Sequence, residues 1–410
     1  MQTLPGFRDF LPAACAQRNY IFAKWREVAR RYGFVEWDGP MLEPTGLYRK
    51  KSGDEIVRQL FNFTDKGDRE VALRPELTPT LARVVAAHER SFRKPLKWFA
   101  IPQCFRYEKQ QRGRLREHFQ LNCDLIGDAS PAADAELIAL AIDLVRGFGF
   151  TANDVVVRVS DRGFWIDFLK QHDVPPARFE EILQTIDKSE REPREKTAEK
   201  LGALADPIFA AFDHGGESAK LSAIMQDLRA RGLEDFAKID LRIVRGLAYY
   251  TGVVFEVFDR GGKFRAIAGG GRYDNLIAQL SDGAASLPAV GFALGDVVLG
   301  EMIQANATTK AQMEAALKNE GSAEVFCVIA KEERRGDALA LVQQLREAGW
   351  RTDYPIASAK IPKQFQAAEQ IGARYAVLLG DEWPQVALKN LATGEQTLVA
   401  RAELLAHLAR

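Results

Sequence analysis

A chain of 410 residues, 47% of them apolar, is long enough for two or three domains with cores of their own and needs no cross-links to hold them. Its 56 acids and 56 bases balance, so no overall basic field advertises nucleic acid, and any such binding must come from local patches. Cys15, Cys104, Cys123 and Cys327 form no CxxC pair and no histidine falls at ligand spacing with them, which argues for reduced thiols and against a bound structural metal. The start, MQTLPGFRDFLP, has no apolar signal core and no run approaches the ~20 apolar residues that span a bilayer, so a cytoplasmic protein without a membrane partner is expected.

In chain order, Ala13 to Arg31 predicts a helix with Ile21, Phe22, Trp25, Val28 and Ala29 on one face and Gly33 at its C-cap. A strand at Phe34 to Trp37 is halted by Gly39-Pro40. A polar turn region around Lys50 to Asp54 precedes two short strands, Leu60 to Thr64 and Glu70 to Leu73. Thr78 to Arg90 reads as a helix. Trp98 to Ile101 and Cys104 to Tyr107 alternate with period two, turn basic, and return apolar at Phe119, Leu121 and Leu125, which predicts a hairpin with a long charged tip. Ala132 to Phe148 is helical.

From Ser160 to Ala237 short amphipathic helices such as Phe179 to Ile186 and Leu221 to Arg231 read as an inserted helical subdomain. Strands are expected at Asp240 to Ile243, Val253 to Phe258 and Arg265 to Ala268, and a helix near Val297 to Ile303. Sheet on both sides of a helical insert predicts one antiparallel-rich α+β core split in sequence. Asn306 to Ser322 is a helical or flexible linker. Beyond it Val325 to Ile329, Thr352 to Tyr354 and Tyr375 to Leu379 alternate with helices at Gly336 to Ala348 and Ile361 to Ile371, a small α/β domain with a mostly parallel sheet. The expected divisions are 1–159 and 238–305 for the core, 160–237 for the insertion, 306–322 for the linker and 323–410 for the last domain.

Three segments besides the hairpin place polar groups at strand ends or among glycines. Leu73 to Thr78 ends in Glu76 and Thr78 beside a helix start, where such residues also serve as caps. Val244 to Gly252 holds Arg245 and the adjacent Tyr249 and Tyr250; in a strand these would point to opposite faces, so one lines a pocket and the other is core. Gly269-Gly270-Gly271 before Arg272, Tyr273 and Asp274 permits close backbone approach to a ligand, or a turn. In the hairpin, Arg106 is a permanent cation suited to bidentate binding of phosphate or carboxylate.

Together and in this order, PGFRDFLP, LRPELTPTLAR, FRYEKQQRGRLREHFQ, RGLAYYTG and GGGRYDNL resemble the histidyl-tRNA synthetase family of class II aminoacyl-tRNA synthetases over essentially the whole chain. The resemblance implies an antiparallel-sheet catalytic core with a helical insertion, a C-terminal α/β anticodon-binding domain, and a homodimer whose interface uses the Gly33 to Pro40 region. It implies ATP with Mg2+ as substrate, L-histidine, and tRNA(His) as partner. By matching position, Arg106 would contact the α-phosphate and Arg245 would be the catalytic arginine. Glu76, Thr78, Gln120, Asp124, Tyr249, Tyr250 and Tyr273 would bind histidine. Glu108, Arg114, Arg116 and Arg272 would join Arg106 around ATP, and Gln111 and Arg112 would approach the tRNA acceptor end.

The sequence departs from the family in two places. The stretch Gly291 to Val298, where the third motif falls, has no arginine; Arg272 in the Gly-rich turn is the expected replacement, with Lys109 second. Ala248 stands where many members carry aspartate, a pattern similar to the plant organellar branch. The rival reading keeps the fold and drops the chemistry, as a regulatory subunit of an ATP phosphoribosyltransferase. Retention of Arg106, Arg245 and a full domain after Gly321 argues for the enzyme.

Overall fold

The first amphipathic stretch folds as a helix over Pro12–Arg31, burying Ile21, Trp25, Val28 and Ala29, with Gly33 just beyond it at φ +76°. This computed structural model describes residues 2–50, 58–109, 111, 113–245, 249–318 and 323–408. It divides into two compact units, Met1–Met313 and Glu314–Arg410.

The strands of the first unit are β1 (Val35–Glu36), β2 (Leu42–Pro44), β3 (Asn62–Thr64), β4 (Glu70–Leu73), β5 (Leu96–Ala100), β6 (Gln103–Phe105), β7 (Glu117–Ile126), β8 (Val155–Asp161), β9 (Ala237–Ile239), β10 (Val253–Asp259), β11 (Ala268–Arg272) and β12 (Ala289–Gly295). A nine-stranded sheet runs β1-β5-β7-β12-β11-β10-β8-β9, with β6 also paired to β7, and β2-β4-β3 form a small separate sheet. From β5 to β8 every pairing is antiparallel; the edge strands β1 and β9 pair in parallel. Helix Pro131–Arg146 packs across β7, β12, β11 and β10, and buries Leu137, Ile138, Leu140, Leu144 and Val145. Truncating one such leucine to alanine costs roughly 2–5 kcal/mol. Along β7 the side chains alternate: Leu121, Cys123 and Leu125 enter the core, while Gln120, Asn122 and Asp124 line a cavity.

Between β8 and β9 the chain is helical, at Arg162–Gln171, Phe179–Lys188, Arg194–Leu201, Ala205–His214 and Ala219–Ala230. In the second unit β13 (Val325–Ile329), β14 (Thr352–Asp353), β15 (Tyr375–Leu379), β16 (Gln385–Asn390) and β17 (Gln396–Ala400) form one sheet in the order β14-β13-β15-β16-β17. Helices Arg335–Glu347 and Ile361–Gln370 supply the parallel crossovers. Among the described residues no helix is long and apolar enough to cross a membrane.

Several expectations need correction. Asp240 to Ile243 is not a strand: β9 ends at Ile239, and the chain bends where the Asp240 carboxylate takes Arg158 and Arg242. The glycine triplet is not a turn but lies inside β11, which begins at Ala268 where the strand was expected to end. Strand β8 was missed and carries Ser160 into the sheet, away from the insertion. Strands β12, β16 and β17 were also missed, and the last two pair antiparallel, so the second sheet is mixed. The run expected to continue through Trp98–Tyr107 is interrupted at Ile101-Pro102, where proline has no N–H to give, although β5 and β6 keep one register against β7. Within the expected helical or flexible linker, Ala307–Leu317 is helix, in keeping with the first of those alternatives. Lys51 to Asp54 and Gly321 lie outside the described residues.

Candidate active site

The floor of the site is built from glycine. Strand pairing sets Gly271 opposite Gly291 and Gly269 opposite Ala293, on one face of β11 and β12. A Cβ on Gly269 would stand 1.4 Å from the Arg245 Nη1, one on Gly291 2.0 Å from the Asp124 Oδ1, and one on Gly271 2.9 Å from the Tyr250 ring. The three glycines thus let an arginine, an aspartate and a tyrosine lie flat on the sheet. Their service to neighbouring side chains was invisible in the sequence, where only the triplet itself signalled close approach.

Two cavities adjoin over this floor. The smaller, about 80 Å3, is lined by Glu76, Thr78, Gln120, Asn122, Asp124, Tyr249, Tyr250 and Tyr273. The Tyr273 hydroxyl donates to Asp124 at 2.5 Å, and the rings of Tyr249 and Tyr250 sit 4.7 Å apart. Both tyrosines line the cavity, against the expectation that only one could, because they lie in irregular backbone before β10 where strand alternation does not apply. Burial pushes the phenols of Tyr249, Tyr250 and Tyr273 above their ordinary range, so each stays a neutral group able to donate. The N-cap of helix Thr78–Ala87 is Leu77, so neither Glu76 nor Thr78 takes the N-cap position itself.

The larger cavity, about 290 Å3, is lined by Glu108, Arg114, His118 and Glu256 among others, and Arg106, Gln120 and Arg245 wall both cavities. Arg106 is set by β6 and β7: its backbone N–H donates to the Arg116 carbonyl at 2.8 Å, and its Nε donates to the Pro75 carbonyl at 3.0 Å. Arg245 has left-handed backbone, φ +54°, a conformation that costs a non-glycine residue on the order of 1 kcal/mol. Its Nη1 pairs with Glu256 at 2.9 Å, the buried Arg162 grips its carbonyl at 3.1 Å, and its Nε is buried with no hydrogen-bond partner among the described residues. Glu256 escaped the sequence reading; only its place on β10 opposite Gly269 reveals it. Burial pushes its carboxyl upward against the pull of Arg245.

Glu108 pairs with Arg114 at 2.7 Å, across a tip that closes as a tight turn between Gln111 and Arg114 with Gly113 at φ +70°. Arg116 does not reach either cavity; its guanidinium lies 4.3 Å over the Tyr107 ring. Arg112 and Gly246 to Ala248 lie outside the described residues. His118 is the one aromatic ring among the described residues lining the larger cavity, and burial, with Arg106 nearby, pushes its imidazole down to about 3. It is therefore uncharged at neutral pH.

Arg272 is a correction. Its guanidinium is buried and clamped by Asp134 at 2.9 Å, Asp274 at 3.2 Å and the carbonyls of Asp128 and Ser130, so it fixes the start of helix Pro131–Arg146 and borders neither cavity. It cannot stand in for an absent phosphate-binding arginine. Asp296 is also committed. It pairs with Arg8 at 2.9 Å and accepts the Phe119 N–H, while Arg8 bridges on to Glu117 at 2.6 Å. The Gly6 carbonyl in turn accepts the N–H groups of Arg116 and Glu117, so the first segment of the chain braces the larger cavity's wall.

The sequence profile described as histidyl-tRNA synthetase matches residues 6–296, and one described as an anticodon binding domain matches 324–410. The histidine–tRNA ligase of Opitutus terrae is 43% identical, over 99% of this chain and 97% of its own length. The chloroplastic/mitochondrial histidine–tRNA ligase of Arabidopsis thaliana is 38% identical, over 97% of this chain and 85% of its own length. Among solved structures, histidyl-tRNA synthetase from a Nostoc species superposes with a TM-score of 0.79 over 99% of this chain and 98% of that one, at 24% identity, a likeness of fold.

Proposed function

The chain belongs to the histidyl-tRNA synthetase family, and from that premise we propose that it ligates L-histidine to tRNA(His) through a histidyl adenylate, using MgATP as substrate. The observation that carries the reading is that Arg106 and Arg245 wall both cavities at once. Histidine occupies the smaller one, where its imidazole and ammonium meet Asp124, Glu76 and neutral phenols. A wrong amino acid there leaves buried polar groups unpaired, the condition under which a site discriminates most strongly. The adenylate end of ATP occupies the larger one, where the flat neutral ring of His118 and Glu108 face the base.

At the boundary the histidine carboxylate oxygen attacks the α-phosphorus. The bond from that phosphorus to the bridging oxygen breaks, and pyrophosphate leaves with the electron pair. Negative charge grows on the phosphoryl oxygens, and two guanidiniums fixed from different parts of the sheet supply the opposing field without reorganising. In the second step a terminal ribose hydroxyl of the tRNA attacks the histidyl carbonyl and AMP leaves. Gln111 and Arg112 approach the acceptor end, and the second unit carries the anticodon contacts. The enzyme is a cytoplasmic homodimer paired through the Gly33 to Pro40 region, a reading supported by the exposure of Val35, Met41 and Leu42 in and beside it.

Histidine-dependent exchange of labelled pyrophosphate into ATP tests the first step without tRNA. Exchange that requires histidine is expected. Histidine binding with no exchange would overturn the enzyme and favour the regulatory-subunit reading.

A further inference from the structure

A third cavity, about 420 Å3, opens beside the larger one, and Gly113 and Val298 wall both. Its charged lining residues are Lys263, Arg265 and Glu301, the last already engaged within the protein. Lys263 and Arg265 belong to the connection between β10 and β11, and Ala266 to Gly269, directly after them, wall the larger cavity.

The cations around the larger cavity differ in how they are balanced. Arg245 pairs with Glu256 and Arg114 with Glu108, Arg8 is held by carboxylates, and Arg106 donates to the Pro75 carbonyl. Arg265 has a neutral partner, the Gln111 side-chain oxygen, and among the described residues neither Arg265 nor Lys263 lies within ion-pair distance of a carboxylate. Arg114 registers this excess: burial lowers its affinity for a proton, and Arg265 and Arg106 oppose its charge further, against the pull of Glu108. On the β12 side of the boundary, among the described residues, Val298 is apolar and Asp296 is an acid committed to Arg8, so neither balances a bound anion.

With the α-phosphate held between Arg106 and Arg245, the β- and γ-phosphates need further cations, and Arg114, the remaining arginine among the described residues lining the larger cavity, is paired with Glu108. The neighbouring space with uncompensated positive charge is the third cavity. We propose that Arg265, assisted by Lys263, binds the β,γ-diphosphate end of ATP and the pyrophosphate that leaves. This role deepens the reading of the site as an ATP-dependent ligase and rests on it. It supplies from the β10–β11 connection the charge that the step from β12 into helix Asp296–Ala305 does not carry. A charge-assisted contact of this kind is worth about 1.5–3 kcal/mol, which corresponds to roughly 10-fold to 100-fold in affinity.

The test uses the full chain and the exchange assay without tRNA, comparing wild type, Arg265→Ala and Arg265→Lys. Arg265 is exposed, so the variants are expected to keep the wild-type Tm. For Arg265→Ala the KM for ATP and for pyrophosphate should rise about 10-fold or more while the KM for histidine stays within twofold, and Arg265→Lys should recover most of the loss. Unchanged constants for ATP and pyrophosphate would overturn the proposal. So would a defect confined to tRNA charging, which would mean that Arg265 and Gln111 serve the RNA instead. If wild type itself shows no histidine-dependent exchange, the ligase reading fails and this one falls with it, an outcome distinct from failure in the variant alone.

Discussion

The two adjoining cavities share Arg106, Gln120 and Arg245 yet are built on opposite principles. The smaller is walled by buried phenols and amides on a glycine floor, with Tyr273 locked to Asp124. The larger is walled by charged side chains paired with one another, Arg114 to Glu108 and Arg245 to Glu256. A rigid wall of buried hydrogen-bonding groups, with Glu76 and Asp124 among them, selects by shape and by hydrogen bonds left unmade. A wall of internally paired charges is held ready at little electrostatic cost, and can exchange a carboxylate for a phosphate when the substrate arrives.

If that contrast is right, the deepest loss comes from removing what the cavities share. Arg245→Ala should cut histidine-dependent exchange about 1,000-fold, near 4 kcal/mol of transition-state stabilisation, with Tm shifted by only a few degrees. Steady-state exchange and thermal melts check it; a proportionate fall in stability would make Arg245 a structural residue. The next effect should separate the two walls. Gly291→Ala drives a methyl group into Asp124, so kcat/KM for histidine should fall about 100-fold while the KM for ATP moves by less than about threefold. Equal damage to both substrates would erase the distinction.

A smaller change probes the paired charges. Glu256→Gln keeps an acceptor for Arg245 but not the ion pair, and about a 10-fold fall in kcat with both KM values near wild type is expected. A further effect falls on stability rather than on rate and is a matter of pH. His118 is pushed down to about 3 in the fold from an ordinary 6.5, so the unfolded chain binds the extra proton first. Its contribution is therefore full above about 6.5 and is lost as the pH falls toward 3, at no more than about 1.4 kcal/mol per unit. Urea midpoints at pH 7 and pH 5 should show that slope, and His118→Phe should flatten it.

Much of this was legible from the chain alone, for physical reasons that can be named. The helices Pro12–Arg31 and Pro131–Arg146 announce themselves by apolar spacing, and the basic hairpin by its switch from period two to a polar tip. Strand β11 was unreadable because Gly269 to Gly271 carry no side chains to show a period; their meaning lies in what Arg245 and Tyr250 do across the sheet. Arg272 and Arg265 show the limit most clearly. Both are arginines within a few residues of the same glycines, and sequence gives no sign that one is buried against Asp134 while the other, among the described residues, meets a glutamine. Charge is written in the sequence, but pairing is not. Tyr249 and Tyr250 were misjudged for the complementary reason, since alternation was assumed where the backbone is irregular.

The bracing of the larger cavity by Arg8 carries a consequence for synthesis. Its partner Asp296 leaves the ribosome roughly 290 residues later, about 15–60 s at 5–20 residues per second. Through that interval the Arg8 guanidinium and the Glu117 carboxylate must wait for their third member, so the wall of the larger cavity is among the last parts of the first unit to close. A nascent chain arrested before Asp296 should expose residues 6–10 to protease, and release past that point should protect them.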